Sequence, residues 1–355
     1  MSAPKPRANL ADVPAYVPGK PSQPGSFKLS SNENPHPPLP EMVAAAVAAI
    51  ESMNRYPDMG ATAMYQALAD YLDVDVDRLA SGTGSVGVLY HLLQAFCDPG
   101  DEVVYAWRSF EAYPIAATVS AATSVQVPLT PEGGHDFAAM AAAVTERTKV
   151  VLVCTPNNPT GNAVTHTQVA EFLTQVPEHV VVVLDEAYRE FVRMDDPLDA
   201  LALAATHDNV VVMRTLAKAY GLAGLRVGYM VAHPDVAAAV RACALPFGVS
   251  HVAQVAAIAA LNAAPQLMRQ VDAIAAERDR VLVALREQGW QMPPAQGNFV
   301  WFGIGDQAME FAAAAEAAGI VVRPFAGDGV RVSIGEPEAN DRLLRLAAGF
   351  REASL

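Results

Sequence analysis

Four short runs, 149–154, 180–184, 210–214 and 227–231, are rich in valine and bounded by turn residues. Further short apolar runs at 102–105 and 124–128 alternate with stretches at helical spacing, 40–52, 61–71, 85–96, 110–116, 137–144 and 165–175. Brief β-branched strands separated by helical patterns predict an α/β fold around a mostly parallel sheet buried on both faces. From about Pro234 the texture changes. A helical region runs over 234–288, broken near Pro246 and Pro265, and then come short strands at 297–302, 320–323 and 330–334 and a last helix at 338–351. That pattern predicts a smaller α+β domain. The expected division is a proline-rich N-terminal arm over 1–40 belonging with the small domain, a large domain over 41–240 and the small domain over 241–355. A chain of 355 residues has room for one large and one small domain.

Charge and composition narrow the class of partner. The net charge of −14 argues against nucleic acid or an anionic membrane as the main partner. Cys97, Cys154 and Cys243 stand alone in apolar surroundings, with no CxxC pair, so a reducing cytoplasm is expected. The stretch containing Pro4, Lys5, Pro6 and Arg7 is not followed by the apolar run of a secretory signal. No apolar run reaches the roughly 18 residues of a membrane span. The histidines show neither HxxxH spacing nor pairing with the cysteines, so no metal site is expected, and no serine sits in a G-x-S-x-G elbow.

The polar chemistry collects just past the ends of three of the valine-rich runs. The first leads into Thr155-Pro156-Asn157-Asn158-Pro159-Thr160-Gly161, the second into Asp185-Glu186-Ala187-Tyr188, and the third into Thr215 and Lys218. In an open α/β sheet, ligands bind beyond the carboxyl ends of the strands. An amide, a carboxylate, a phenol, a hydroxyl and a lysine there read as one site. Lys218 is the most telling, because the chain has five lysines and this is the only one after Lys149. Its setting, from Thr215 to Arg226, is apolar and glycine-rich. Of the basic side chains only an amine forms a Schiff base with an aldehyde, and apolar surroundings make it easier to deprotonate.

A second signal is the run Gly82-Thr83-Gly84-Ser85-Val86-Gly87, which opens a helix. Glycines allow close approach of the backbone, and the N–H groups of Ser85 and Val86 can meet an anion favoured by the helix dipole. The run also fits G-x-G-x-x-G, the dinucleotide fingerprint of dehydrogenases. Two features oppose that rival. The segment before it, 73–80, carries three aspartates and does not read as a core strand, and no acidic residue closes a second strand about 20 residues on.

Asn158-Pro159-Thr160-Gly161, Asp185-Glu186-Ala187-Tyr188 and the run from Thr215 through Lys218 to Gly228 resemble the fold-type-I aminotransferases that use pyridoxal 5'-phosphate. Lys28-Leu29-Ser30-Ser31-Asn32-Glu33-Asn34-Pro35, Arg55-Tyr56-Pro57-Asp58 and Val330-Arg331-Val332-Ser333-Ile334-Gly335 are similar to the histidinol-phosphate aminotransferase group. The motifs span nearly the whole chain in the family's order. The resemblance implies that Lys218 binds the cofactor aldehyde and shuttles a proton, and that Asp185 pairs with the pyridine nitrogen. It implies that Tyr188 and Asn158 bond the ring oxygen and that Phe110 stacks on the ring. Ser85, Val86, Thr215 and Arg226 would hold the phosphate, with Tyr56 reaching it from the partner of a homodimer. Ala217 stands where the family usually has serine, which removes a hydroxyl near the phosphate.

For the substrate, the resemblance assigns the α-carboxylate to Arg331, with Arg323, Asn158 and Asn32 as further contacts. Bidentate arginine–carboxylate pairing is strong and oriented. In histidinol-phosphate enzymes the residue matching Arg323 helps to hold the substrate phosphate. The run Trp107-Arg108-Ser109-Phe110-Glu111-Ala112-Tyr113-Pro114 and the segment from Arg323 to Arg331 look instead like the phenylalanine (aromatic amino acid) aminotransferases of the same family. The expected reaction is transfer of the amino group of an aromatic amino acid to 2-oxoglutarate, with histidinol phosphate as the alternative substrate.

Overall fold

The computed structural model describes all residues except 1–3, 6, 11–12, 14–15, 22–23 and 355, so part of the arm lies outside the described residues. The strands in chain order are β1 Phe27–Lys28, β2 Leu79–Thr83, β3 Glu102–Trp107, β4 Thr123–Pro128, β5 Thr148–Cys154 and β6 Val181–Asp185. They continue with β7 Val210–Thr215, β8 Val227–Val231, β9 Phe299–Phe302, β10 Ile320–Val321, β11 Arg323–Phe325 and β12 Gly329–Ser333. Seven of them form one sheet in the order β2-β8-β7-β6-β5-β3-β4. β8 runs antiparallel to both neighbours, and the other adjacent pairs are parallel.

The valine-rich runs form the middle of this sheet because both of their faces are covered. Val151, Val153, Val182, Leu184, Val210 and Val212 enter one apolar layer, and Val150, Leu152, Val181, Val183, Val211 and Met213 enter the other. Alternate residues point to opposite faces, so a strand flanked on both sides must be apolar throughout. The register sets Cys154 opposite Asp185 and Asp185 opposite Met213, which brings the ends of β5, β6 and β7 to nearly one level.

The remaining strands form two smaller sheets. β11, β12 and β9 make an antiparallel sheet, and β10 pairs in parallel with β1 of the arm. The run 320–323, expected to form one strand, is divided between these two sheets. The long helical region resolves into Pro234–Cys243, His251–Asn262 and Ala264–Glu287, with Pro265 in the first turn of the third, where its missing N–H costs nothing. A short helix at Ala200–Thr206, too brief for a clear period, escaped the sequence reading.

One expectation is corrected. A buried strand, β2, does precede the glycine-rich turn, at the edge of the large sheet beside β8. Its small residues concealed it, and the helices explain their size. The first four helices are α1 Pro40–Ile50, α2 Thr62–Leu72, α3 Gly84–Phe96 and α4 Ala112–Val119. Helix α3 lies directly against β2: a methyl group on Gly82 would come within 2.9 Å of the Val88 backbone nitrogen. The dinucleotide reading therefore loses one of its two objections, and the other stands.

The tightest approach is at Gly228 in β8. A Cβ there would lie 2.0 Å from the backbone nitrogen of Ser85 and 2.2 Å from the carbonyl carbon of Gly84. Gly228→Ala must therefore push the start of α3 away from the sheet, at a cost of about 1–3 kcal/mol or more. Gly224→Ala meets nothing within 4 Å and should be nearly neutral. Thermal denaturation of the two variants tests the contrast, and equal transition temperatures would refute the packing account.

Candidate active site

A cavity of about 730 Å³ opens beyond the ends of β5, β6 and β7. The sheet supplies its floor, the arm residues Tyr16, Pro18, Gly19, Ser30 and Ser31 lie on one side, and Arg323, Phe325 and Arg331 wall another.

Asp185 is the last residue of β6 and is 3% exposed. Its Oδ2 accepts a 2.7 Å hydrogen bond from the Tyr113 hydroxyl on α4, while its Oδ1 is buried without a partner. Burial raises its pKa to about 6, against the lowering effect of the Tyr113 hydrogen bond and the Ala187 backbone. A buried carboxylate with one free oxygen at a cavity wall is a receptor for a cation or an N–H donor.

Lys218 follows β7, and its Nζ donates to the Ser31 carbonyl at 3.0 Å, from 5.8 Å above the centre of the Tyr188 ring. Its pKa falls to about 7, first through burial and then through the nearby charge of Arg331. Tyr188 packs edge-on to Phe299, with ring centres 5.1 Å apart, and its hydroxyl accepts from Asn32 Nδ2 at 3.0 Å. Burial pushes that phenol above its usual range.

Asn158, in the turn after β5, accepts from Arg331 Nη1 at 2.5 Å, and Arg331 Nη2 donates to the Ser30 carbonyl at 2.8 Å. The Nε of Arg331 is buried and unpartnered, and among the described residues no carboxylate forms an ion pair with its guanidinium. Burial lowers its pKa. Arg331 is thus a guanidinium held in place by neutral acceptors.

The glycine-rich turn forms the opposite end. Ser85 and Val86 begin α3 and line the cavity, and Arg226 faces them; a side chain on Gly84, whose φ is 76°, would come within 2.5 Å of the Arg226 guanidinium. Thr215 lines the same end, and its hydroxyl donates to the Val227 carbonyl at 3.2 Å and accepts the Ala217 N–H at 3.1 Å. Several N–H groups at a helix start, with a guanidinium opposite, make an anion cradle. Phe110 forms part of the wall, edge-on to Tyr113 at 5.7 Å.

Two residues expected in the site do not line this chain's cavity. Tyr56 is 82% exposed and stacks on Phe247 at 4.6 Å. Asn32 is fully buried behind Tyr188, and its side chain is taken up by the Tyr188 and Ser333 hydroxyls. Conversely, Tyr113, Tyr16 and Glu111 were not singled out from sequence. Tyr113 lies in the first turn of α4, where its apolar neighbours give it the pattern of a core residue. Among the described residues no group of His, Cys, Asp and Glu is arranged to hold a metal ion.

The profile described as "Aminotransferase class I and II" matches residues 24–346. The chain belongs to this family of aminotransferases. It is 54% identical over 354 residues to a protein of Streptomyces avermitilis named aromatic amino acid aminotransferase, with 99% of each chain covered. It is 51% identical over 356 residues to one of the same name from Thermobifida fusca, again with 99% of each covered. The fold is similar to the crystal structure of a histidinol-phosphate aminotransferase from Sinorhizobium meliloti in complex with pyridoxal-5'-phosphate. The TM-score is 0.89 at 26% identity, over 100% of this chain and 99% of that one. An aspartate aminotransferase from Thermus thermophilus with maleate shares the fold with a TM-score of 0.79 at 24% identity, over 91% and 92% of the two chains.

Two measurements test this electrostatic account on the cofactor-free protein. Acylation of Lys218 by an amine-reactive ester, followed by peptide mapping, should rise with a midpoint near pH 7. Exposed lysines follow a midpoint near the ordinary value of about 10.4, and a similar midpoint for Lys218 would refute the lowered pKa. For Asp185, the folded pKa of about 6 lies above the ordinary value of 3.8 for an aspartate. Its ionisation therefore opposes folding: stability is lost as pH rises from about 4 to about 6, then levels off. Asp185→Asn should remove that loss and stabilise the cofactor-free protein at neutral pH by on the order of 1–3 kcal/mol. A variant less stable than the parent at pH 7 would contradict the assignment.

Proposed function

We propose that this aminotransferase moves the amino group of an aromatic L-amino acid to 2-oxoglutarate, with pyridoxal 5'-phosphate as its cofactor. The observation that carries the reading is the convergence of Lys218, the unpaired oxygen of Asp185 and the guanidinium of Arg331 on one cavity whose wall includes Phe110, Tyr16 and Phe325. The relatives named aromatic amino acid aminotransferase, at about half identity over nearly the full length, support the substrate class.

The residues present fit the cofactor. The free Oδ1 of Asp185 suits a protonated ring nitrogen, and the cradle of Ser85, Val86, Thr215 and Arg226 suits a phosphate. When bound, pyridoxal phosphate supplies an aldehyde carbon that takes up the amino group and a pyridine ring that withdraws the electron pair left at Cα. Asp185 holds the proton on the ring nitrogen, and Tyr113 fixes the carboxylate through its 2.7 Å hydrogen bond. Tyr188 and Asn158 bond the ring oxygen, and Phe110 covers the ring. Lys218 would anchor the cofactor through its amine and, once displaced, would take the proton from Cα and deliver it across the nitrogen to the former aldehyde carbon. Arg331 takes the α-carboxylate that the amino acid and the 2-oxo acid share.

The same reading makes the chain a homodimer. The exposed Tyr56, stacked on Phe247, with Met53 and Met59 also exposed nearby in sequence, would reach the phosphate of a second copy. A cytoplasmic setting follows from the isolated cysteines; among the described residues no helix is long and apolar enough to cross a membrane.

Borohydride reduction of the cofactor-loaded protein should leave a pyridoxyl group on Lys218, found by peptide mapping; an adduct elsewhere would refute the assignment of the lysine. Arg331→Ala should keep the cofactor spectrum and weaken both phenylalanine and the aromatic 2-oxo acid by about 2–5 kcal/mol, the usual cost of cutting one member of a buried charge pair. Half-reaction rates with phenylalanine and with histidinol phosphate on one preparation decide the substrate, and a faster rate with histidinol phosphate would overturn the aromatic reading.

A further inference from the structure

Three arginines line the cavity: Arg226 belongs to the anion cradle, and of the other two Arg323 is paired with a carboxylate and Arg331 is not. Arg323 on β11 and Arg331 on β12 are directly opposed in the antiparallel register, so both project to the same side and both line the cavity. Arg331 contacts neutral acceptors only. Arg323 is engaged on three sides. Its Nη2 pairs with the Glu111 carboxylate at 2.6 Å, its Nη1 donates to the Pro18 carbonyl at 3.3 Å, and its guanidinium carbon lies 5.3 Å from the centre of the Phe325 ring. The side chain of Arg323 is 11% exposed and that of Glu111 is 29% exposed, so the pair stands at the mouth of the cavity, not on the open surface. Glu111 immediately precedes α4, next to Phe110, and itself lines the cavity.

We infer that Glu111 is a specificity-determining residue: its carboxylate occupies Arg323 and so competes with any second anionic group on a substrate. A ligand with one carboxylate and an uncharged ring meets the free guanidinium of Arg331 and the Phe325 face without disturbing this pair. A ligand with a second anion, such as a distal carboxylate, must displace Glu111 from Arg323 or sit beside its negative charge. Either course subtracts from binding, because the new ion pair only replaces one that already exists. Glu111 thus biases the site toward uncharged side chains and sets how weakly a dicarboxylate acceptor is held. The inference rests on the aromatic reading of the same cavity and adds the residue that enforces it.

The test compares the holoenzyme with Glu111→Gln, which keeps the shape of the side chain and removes its charge. Calorimetry with two unreactive ligands, 3-phenylpropionate and glutarate, separates the anions without turnover. Glutarate should bind roughly three- to fivefold tighter to the variant, the upper part of the range for release of one partly exposed ion pair, while 3-phenylpropionate should change by less than about twofold. In turnover, KM for 2-oxoglutarate should fall, with kcat/KM for phenylalanine little altered. In Glu111→Gln combined with Arg323→Gln the gain for glutarate should vanish, because it runs through Arg323. Unchanged or weaker glutarate binding in Glu111→Gln would overturn the inference, as would a gain that survives in the double variant. Should Glu111→Gln not fold, Glu111→Ser serves the same comparison. The two readings fail separately: parent enzyme that prefers histidinol phosphate to phenylalanine sinks the aromatic reading, whereas an unresponsive glutarate affinity sinks only the role of Glu111.

Discussion

The hydrogen-bonded register of β5, β6 and β7 is the constraint on which the site depends. The Thr155 N–H donates to the Asp185 carbonyl and the Glu186 N–H donates to the Met213 carbonyl, so each strand is locked to the next just where it ends. A slip of one residue would turn Asp185 from the cavity into an apolar layer. The bonds at the strand ends oppose that slip, because each ties one residue of a strand to one residue of its neighbour. Strand stability and the placement of the acid, the lysine and the asparagine turn are therefore one property of the sheet.

The same locking makes unfavourable electrostatics tolerable. Asp185 is a buried carboxylate with a free oxygen, and Lys218 is an amine held short of full protonation at neutral pH. Either alone would be expensive in a protein interior. A buried pair one step along the same strands, Glu186 with Arg214 at 2.7 Å, is by contrast mutually neutralised and structural. The site thus consists of those polar groups that the fold leaves incompletely satisfied, beside others that it satisfies fully. That difference cannot be read from residue type, since Asp185 and Glu186 are adjacent acids.

Much of the fold was legible because the central strands are apolar on both faces and their helices are periodic. The gaps have local causes. β2 was hidden because the approach of α3 demands small residues, and small residues carry no hydrophobic pattern. The division between β10 and β11 was hidden because adjacent residues pair with partners far away in sequence. In the site, Lys218 and Asp185 stood out through rarity and position after a strand. Tyr113 and Glu111 did not: a tyrosine in an apolar helix and a glutamate at a helix start both have ordinary structural explanations, and only the geometry gives them partners. Asn32 shows the opposite error, a motif residue whose side chain supports Tyr188 from behind the cavity wall.

The arm gives the cavity an order of assembly. β1 pairs with β10, the Leu29 carbonyl accepts from the Ser333 N–H, and the Ser31 carbonyl beyond them holds the amine of Lys218. The arm leaves the ribosome before the central sheet, yet it finds its partners only when residues near 320 and 333 have followed. The central sheet, complete by Val231, can form well before then. Synthesis can therefore pass through a stage with β5, β6 and β7 in register and one wall of the cavity missing. A nascent chain at that stage would hold its acid and lysine open to water, and the pocket closes only when the arm meets β10 and β12.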